Sequence, residues 1–410
     1  MIAHDDGLLV LLPMLTAKRL RDGRVRLTAK FLDGVLAYAQ HWHGPIRVLL
    51  ETREAEDQNL DDVDVAPAEL PFALELVDFA KAGLRERLSG AALVFGSASH
   101  RQVHLAALCR DLGIPCVIGT EYTLRTRLQI LGAGGRPDMR RLRSALWTIA
   151  EEVRERRMIR AATAVQCNGT PTYDLYRRIQ PRAHLYFDTR TRAVDVVEPA
   201  ALERRLATLL SGAPLRLVYS GRLDRIKGTQ YLAPFAAQLR ARGVPFQLDI
   251  CGGGPLEAAM ASDIRRLDLG AQVRLRGVLD FQNQLLPFVR ASADLFICPH
   301  VQGDPSCTYL ETLACGVPIA GFANEAFVGL SKRVESCWSV PIRAVAELAD
   351  KVAQLDRDRN RIAAASRGAR EFAQLHTFEA TFERRVAHLR SCARPAALQP
   401  QVAGGSGSSQ

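Results

Sequence analysis

Three short stretches in the second half of this 410-residue chain gather residues that could handle an anionic ligand. The first runs from Tyr219 to Gly228 and carries Arg222, Arg225 and Lys227 between an apolar run and a helical pattern. Gly221 and Gly228 let the backbone come close to a ligand, and cations beside a helix start can hold a diphosphate. The alternative is a solvated loop with surface charges. The second is Gly252-Gly253-Gly254-Pro255, a tight turn with Pro at a helix start. It either leaves backbone open to a ligand or simply needs glycine geometry. It lacks the G-x-G-x-x-G plus acidic residue of a dinucleotide fingerprint. The third runs from Pro299 to Pro318. Ser306 is placed to cap a helix that Gly316 stops, and Glu311 stands within it among small and apolar residues. A carboxylate there is costly unless it meets donors. Ribose hydroxyls would serve, and so would a neighbouring Arg or loop amide.

These loops need a scaffold that sends them to one side. Short apolar runs alternate with longer helical patterns, which predicts parallel sheets with crossover helices. Strands are predicted at 7–13, 46–50, 91–97, 115–120, 163–169 and 184–188, then at 215–221, 246–252, 273–277, 293–299 and 317–322. Helices are predicted at 101–112, 138–160, 228–242, 255–267, 281–291 and 307–315, and helices alone over 342–392. The sheet pattern lapses near 190–213, so each half reads as one Rossmann-type domain, and ligands should bind beyond the carboxyl ends of the strands. The reading divides the chain into 1–195, 196–372, a helical segment 373–393 returning to the first domain, and a Gly/Ser-rich tail, 394–410, expected to be disordered.

Composition narrows the partners. Net charge is +10, from 54 basic and 44 acidic residues, and only six of the basic residues are Lys. The excess favours a phosphorylated ligand or an anionic surface. Nucleic acid is not expected, because no zinc finger, RNA-binding signature or aromatic-interleaved basic face occurs. Nine cysteines without a C-x-x-C spacing read as buried free thiols in a reducing cytoplasm, and no metal site is expected. No run approaches the roughly 20 apolar residues of a membrane span. His4, Asp5 and Asp6, rather than basic residues, precede the apolar run 7–15, so no secretory signal is expected.

In order and spacing, the three loops resemble the donor half of glycosyltransferase family 4, the group 1 enzymes of the two-Rossmann GT-B fold. The matching residues are Gly221-Arg222-Leu223, Lys227-Gly228, Gly252 to Pro255, Leu275-Arg276-Gly277, Pro299 and Glu311 to Pro318, over about 213–392. The resemblance implies an α/β chain with two parallel sheets facing across a cleft. It implies a retaining transferase that moves a sugar from a nucleotide-sugar donor to a glycan or lipid-linked glycan. Arg222 and Lys227 would hold the donor diphosphate, Glu311 the ribose hydroxyls, and the backbone at Gly277 and Val278 the base. Gly221, Gly253, Ser306, Cys307 and Thr308 would complete the donor site. No metal or other cofactor is implied, since cationic side chains replace Mg²⁺. The family pattern is Glu, seven residues, Glu. Here the first position falls on Gly303, and Asp304 is the substitute for contacting the sugar.

The first half resembles the family only in architecture, with Pro13 to Arg19 where a glycine-rich loop is usual. The family implies a His or carboxylate near the reacting sugar. The candidates are His100 and Glu121; alternatively His100 starts a helix and Glu121 pairs with Arg125 or Arg127. The segment 136–160 carries eight Arg and four acidic residues among apolar ones. It reads either as a basic face on anionic lipid or as a solvated helix face. A cytoplasmic enzyme, peripheral on the inner membrane face, is the corresponding expectation. The rival readings are a nucleotide-sugar epimerase on the same fold and a catalytically degenerate binding subunit.

Overall fold

The computed structural model describes residues 6–52, 62–79, 83–132 and 139–394. The tail beyond Arg394, for which disorder was expected, lies outside the described residues.

The first sheet contains β1 (Leu9–Leu11), β2 (Thr16–Arg19), β3 (Val25–Thr28), β4 (Ile46–Thr52), β5 (Asp62–Val65), β6 (Ala73–Val77), β7 (Leu93–Ser97), β8 (Cys116–Thr120), β9 (Ala164–Asn168) and β10 (Ala183–Tyr186). Their order is β10-β9-β8-β7-β1-β4-β2-β3-β5, with β6 also paired to β4. The second sheet contains β11 (Leu215–Ser220), β12 (Phe246–Cys251), β13 (Val273–Gly277), β14 (Leu295–Cys298), β15 (Ile319–Phe322) and β16 (Cys337–Val340). It is parallel throughout, in the order β13-β12-β11-β14-β15-β16. Numbered within its own domain this order is 3-2-1-4-5-6, so the order reverses between β11 and β14.

The central strands are continuous apolar runs because helices cover both their faces. Every residue of β14 and β15 is buried. Two features depart from the sequence reading. β2, β3, β5, β6 and β16 were not anticipated, and β3 pairs antiparallel with both β2 and β5. Those strands are four or five residues long. That is too short for a period of two to stand out against charged neighbours. The lapse at 190–213 is the helix Pro199–Leu210, whose Leu202, Leu206 and Leu209 enter the core of the second domain.

The last helix, Phe378–Cys392, starts at Thr377, whose side chain accepts the Ala380 N–H. Its Phe382, Val386, Leu389 and Cys392 pack in the core of the first sheet. Arg385 is buried with its guanidinium 4.0 Å from the Tyr186 ring centroid, and its Nε donates to Gln166 Oε1 at 3.0 Å. Eight of the nine cysteines are buried, Cys307 is half-buried, and all nine are free thiols.

Candidate functional site

Two crevices meet where the sheets face each other. In the second domain the loops after β11 and β14 flank the point of strand reversal, where an open α/β sheet leaves room for a ligand. They are locked together by close approach of backbone. Gly228 has φ +67°, and a Cβ there would lie 1.8 Å from the Pro299 carbonyl oxygen. No side chain fits, so glycine is required for both conformation and contact. Gly228→Ala is therefore expected to destabilise the protein by roughly 3 kcal/mol, combining backbone strain with overpacking. A thermal melt within a degree or two of wild type would contradict this.

The lock places Lys227 beside the loop after β14. Lys227 Nζ lies 2.9 Å from Asp304 Oδ2 and its backbone N–H donates to Asp224 Oδ1 at 2.8 Å. Both side chains of the pair are mostly buried, and among the described residues Asp304 Oδ1 is buried without a hydrogen-bond partner. A ligand hydroxyl would satisfy that oxygen. Beneath the pair sits His300, fully buried between the Tyr219 and Tyr309 rings and held neutral by burial and by Lys227. Arg222 pairs with Asp224 but keeps 66% of its side chain exposed, leaving it free to turn toward a ligand.

The remaining loops frame this pair. The Gly221 N–H donates to Cys251 O at 3.0 Å, the Leu223 N–H to Gly253 O at 2.9 Å and the Gly252 N–H to Gly277 O at 2.7 Å. The exposed Val278 side chain stands over Gly253. Ser306 is the N-cap residue of the helix Cys307–Ala314, although its side chain makes no capping bond, and Thr308 is half-buried in the first turn. Glu311 is buried in that helix. Burial raises its carboxyl above the usual range, and Arg190 opposes the shift from 3.3 Å. The Arg190 guanidinium lies over the Phe281 ring, 4.4 Å from its centroid. Glu311 therefore takes the Arg pairing, from a residue of the segment joining the two domains.

Facing this crevice, the first sheet sends the carboxyl ends of β1, β7, β8, β9 and β10 around a cavity of about 630 Å³. Glu121 lines it after β8 and His100 after β7. Glu121 is raised chiefly by desolvation and by Asp188, with Asp304 of the other domain adding to the effect. His100 stands at the rim, edge-on to Trp147 with ring centroids 5.2 Å apart. Arg127 pairs with Glu152 and Glu155.

Two residues at this meeting point were missed. Lys30 Nζ lies 2.6 Å from Asp188 Oδ2, and Cys307 Sγ is 3.6 Å from the same oxygen. Burial alone would lower the Lys30 ammonium, but Cys307 and Asp188 carry it above the usual lysine range. The scarcity of lysine could have flagged Lys30. Nothing in sequence joins it to residues 158 and 277 positions away.

The helix Leu124–Gly132 of the first domain also grips the substituted loop. The Gly303 N–H donates to Gln129 Oε1 at 3.0 Å, Thr126 Oγ1 donates to Gly303 O at 3.2 Å, and Thr123 Oγ1 donates to Glu325 Oε2 at 3.1 Å.

Comparison with known proteins bears on the second domain and on the fold. Residues 214–358 match the family model described as glycosyl transferases group 1. The D-inositol 3-phosphate glycosyltransferase of Arthrobacter sp. strain FB24 is 28% identical over 224 residues, which is 52% of this chain and 49% of that protein. Matches to the curated relatives take in between 37% and 52% of their lengths. Among solved structures, Anabaena Alr3699/HepE in complex with UDP superposes with a TM-score of 0.63 at 14% identity, covering 93% of this chain and 99% of that one. The lipopolysaccharide outer core galactosyltransferase WaaB, in its apo form, gives 0.62 at 10% identity, covering 94% and 99%. Residues 214–358 thus match the group 1 glycosyltransferase family, and the two sheets facing across one cleft are a GT-B fold.

Proposed function

We propose that the chain is a retaining, metal-independent glycosyltransferase that moves a sugar from a nucleotide-sugar donor to a hydroxyl of a glycan or lipid-linked glycan. The observation that carries this reading is the Lys227–Asp304 pair, which stands at the strand reversal of the second sheet and faces Glu121 of the first domain. The donor diphosphate would lie against Lys227, Arg222 and the amides of the Gly221 and Gly253 loops. Bond cleavage at the anomeric carbon puts charge on that diphosphate, and preorganised cations stabilise it. Asp304 would take sugar hydroxyls on its unpartnered oxygen, Val278 would lie against the nucleoside, and Glu311 would reach the ribose beside its Arg190 partner. Glu121, Lys30 and Asp188 would orient the acceptor hydroxyl. Closure of the two domains keeps water from the donor.

The test is a thermal-shift series with UDP, GDP and ADP, followed by transfer assays with the matching nucleotide sugars in EDTA. One nucleotide is expected to raise the unfolding temperature, as any ligand of the folded state does, and transfer is expected to survive chelation. A strict requirement for a divalent metal would count against the cation-only account. Product formed from donor alone would favour an epimerase.

The helix Met139–Ala161 supports a peripheral membrane position for the same enzyme. Its Glu151, Glu152 and Glu155 are buried, pairing with Arg127, Arg154 and Arg156. The outward surface is left to Leu142, Leu146, Trp147, Ile149 and Val153 with exposed arginines. A face both apolar and basic suits anionic lipid. Among the described residues no helix is long and apolar enough to cross a membrane.

A further inference from the structure

We infer that the cavity of the first domain seats the apolar part of a short amphipathic acceptor, so that the reacting hydroxyl lies within about one sugar of an apolar group. This deepens the reading of the first domain as the acceptor side and rests on it. A volume of about 630 Å³ is that of a site for one small ligand. The cavity has two chemically distinct ends. Glu121, Lys30 and Asp188 line it where it meets Cys307 of the donor domain. Leu15, Phe31, Phe95, Ile130, Trp147 and Phe382 supply much of the apolar lining of the rest, among polar residues that include Glu151 and Arg385.

Several other polar groups in the wall are already engaged. Arg127 and Glu155 pair with each other, Thr148 donates to Ser144 O, Ser97 donates to Leu12 O, and Arg385 is held by Gln166. Among the described residues, Tyr38 Oη, Arg127 Nε and Glu151 Oε2 are buried in this wall without a partner, so a ligand finds a few polar contacts there, but a long oligosaccharide would leave most of its hydroxyls unsatisfied. A sugar carrying a hydrocarbon or aromatic group would place its hydroxyls at the charged end and its apolar portion against the rings. The rim points the same way. Met14, Ile130 and Trp147 line the cavity and are also exposed to solvent. The apolar surface therefore continues outward instead of closing under polar residues.

Gly34 offers a way to fill the cavity without touching its charged end. It lies in the helix Ala29–His41, lines the cavity, and a Cβ there would meet Phe382 Cζ at an ordinary 3.5 Å. Gly34→Leu would occupy ligand space while replacing a poor helix former with a good one. Calorimetric titration would compare n-octyl β-D-glucoside, kept below its micelle concentration, with methyl β-D-glucoside.

The octyl compound is expected to bind wild type at least tenfold tighter, because burying its chain is favourable. That preference should vanish in Gly34→Leu, while the nucleotide that raises the unfolding temperature binds unchanged. If Gly34→Leu does not fold, Trp147 emission decides. Octyl glucoside should shift it in wild type, and the shift should disappear in Trp147→Phe. Equal affinities in wild type, an octyl preference that survives Gly34→Leu as adventitious detergent binding would, or an emission shift that persists in Trp147→Phe, each overturn the proposal. A wild-type protein that binds the octyl compound but no nucleotide would overturn the donor reading alone.

Discussion

Lys227→Ala is expected to lower kcat by about 10²–10³ while the protein still folds. That is the scale seen when one preorganised donor to a developing charge is removed. Lys227 is suited to this role because Asp304 and the Asp224 carboxylate already hold it, so little reorganisation is left for the reaction itself. The same contacts complicate the single variant, since removing Lys227 strips Asp304 of its partner and leaves a mostly buried carboxylate alone. Part of any loss could therefore be structural, with a stability cost on the order of 1–3 kcal/mol. Lys227→Ala combined with Asp304→Asn separates the two effects. The double variant should regain most of the unfolding temperature and none of the turnover. Turnover within a few-fold of wild type in Lys227→Ala would remove Lys227 from the chemistry. Recovery of turnover in the double variant would reduce Lys227 to a keeper of Asp304.

The second domain was largely legible in the sequence because its central strands are apolar runs covered on both faces and its long helical stretches separate them. β13 runs from Val273 to Gly277, the predicted bounds, and β11 and β12 end one residue short of theirs. The loops between them could be read as well, because Arg222, Lys227 and the Gly252 to Pro255 turn stand close together in the chain. The first domain was much less visible. Glu121 and His100 could be named as candidates, since each follows a recognisable strand. Lys30 and Asp188 could not, because a helix start and the end of a short strand carry no local sign that they meet Cys307 across the cleft. The acidic residues of 139–161 left two readings of that helix open for a similar reason. In sequence they suggest a solvated face, and only their burial against Arg127 and the neighbouring arginines shows that the outward face is apolar and basic.

Restoring the family's first acidic residue with Gly303→Glu is expected to lower activity rather than raise it. The backbone of Gly303 is held from both sides by Gln129 and Thr126 of the opposite domain, at 3.0 and 3.2 Å. A Cβ at 303 would lie 3.0 Å from Glu325 Cβ and 3.4 Å from Thr126 Oγ1, so even a methyl group needs Glu325 to give slightly, and a glutamate must crowd the Leu124–Gly132 helix or the Glu325–Ser331 helix. A glutamate would also bring a charge beside Glu325 and Asp304, where like charges repel. The closed arrangement then loses the 1–3 kcal/mol or so that overpacking costs, which corresponds to roughly a tenfold to hundredfold fall in kcat/KM. Gly303→Ala, which adds the Cβ without the charge, should show a smaller fall in the same direction. On the proposed reading, glycine at 303 goes with this chain's own interdomain contact, beside which Asp304 pairs with Lys227 and would stand in for the family's carboxylate. A Gly303→Glu enzyme faster than wild type would show that the loop can take the family's arrangement, and that the grip on Gly303 is not what sets Asp304 in place.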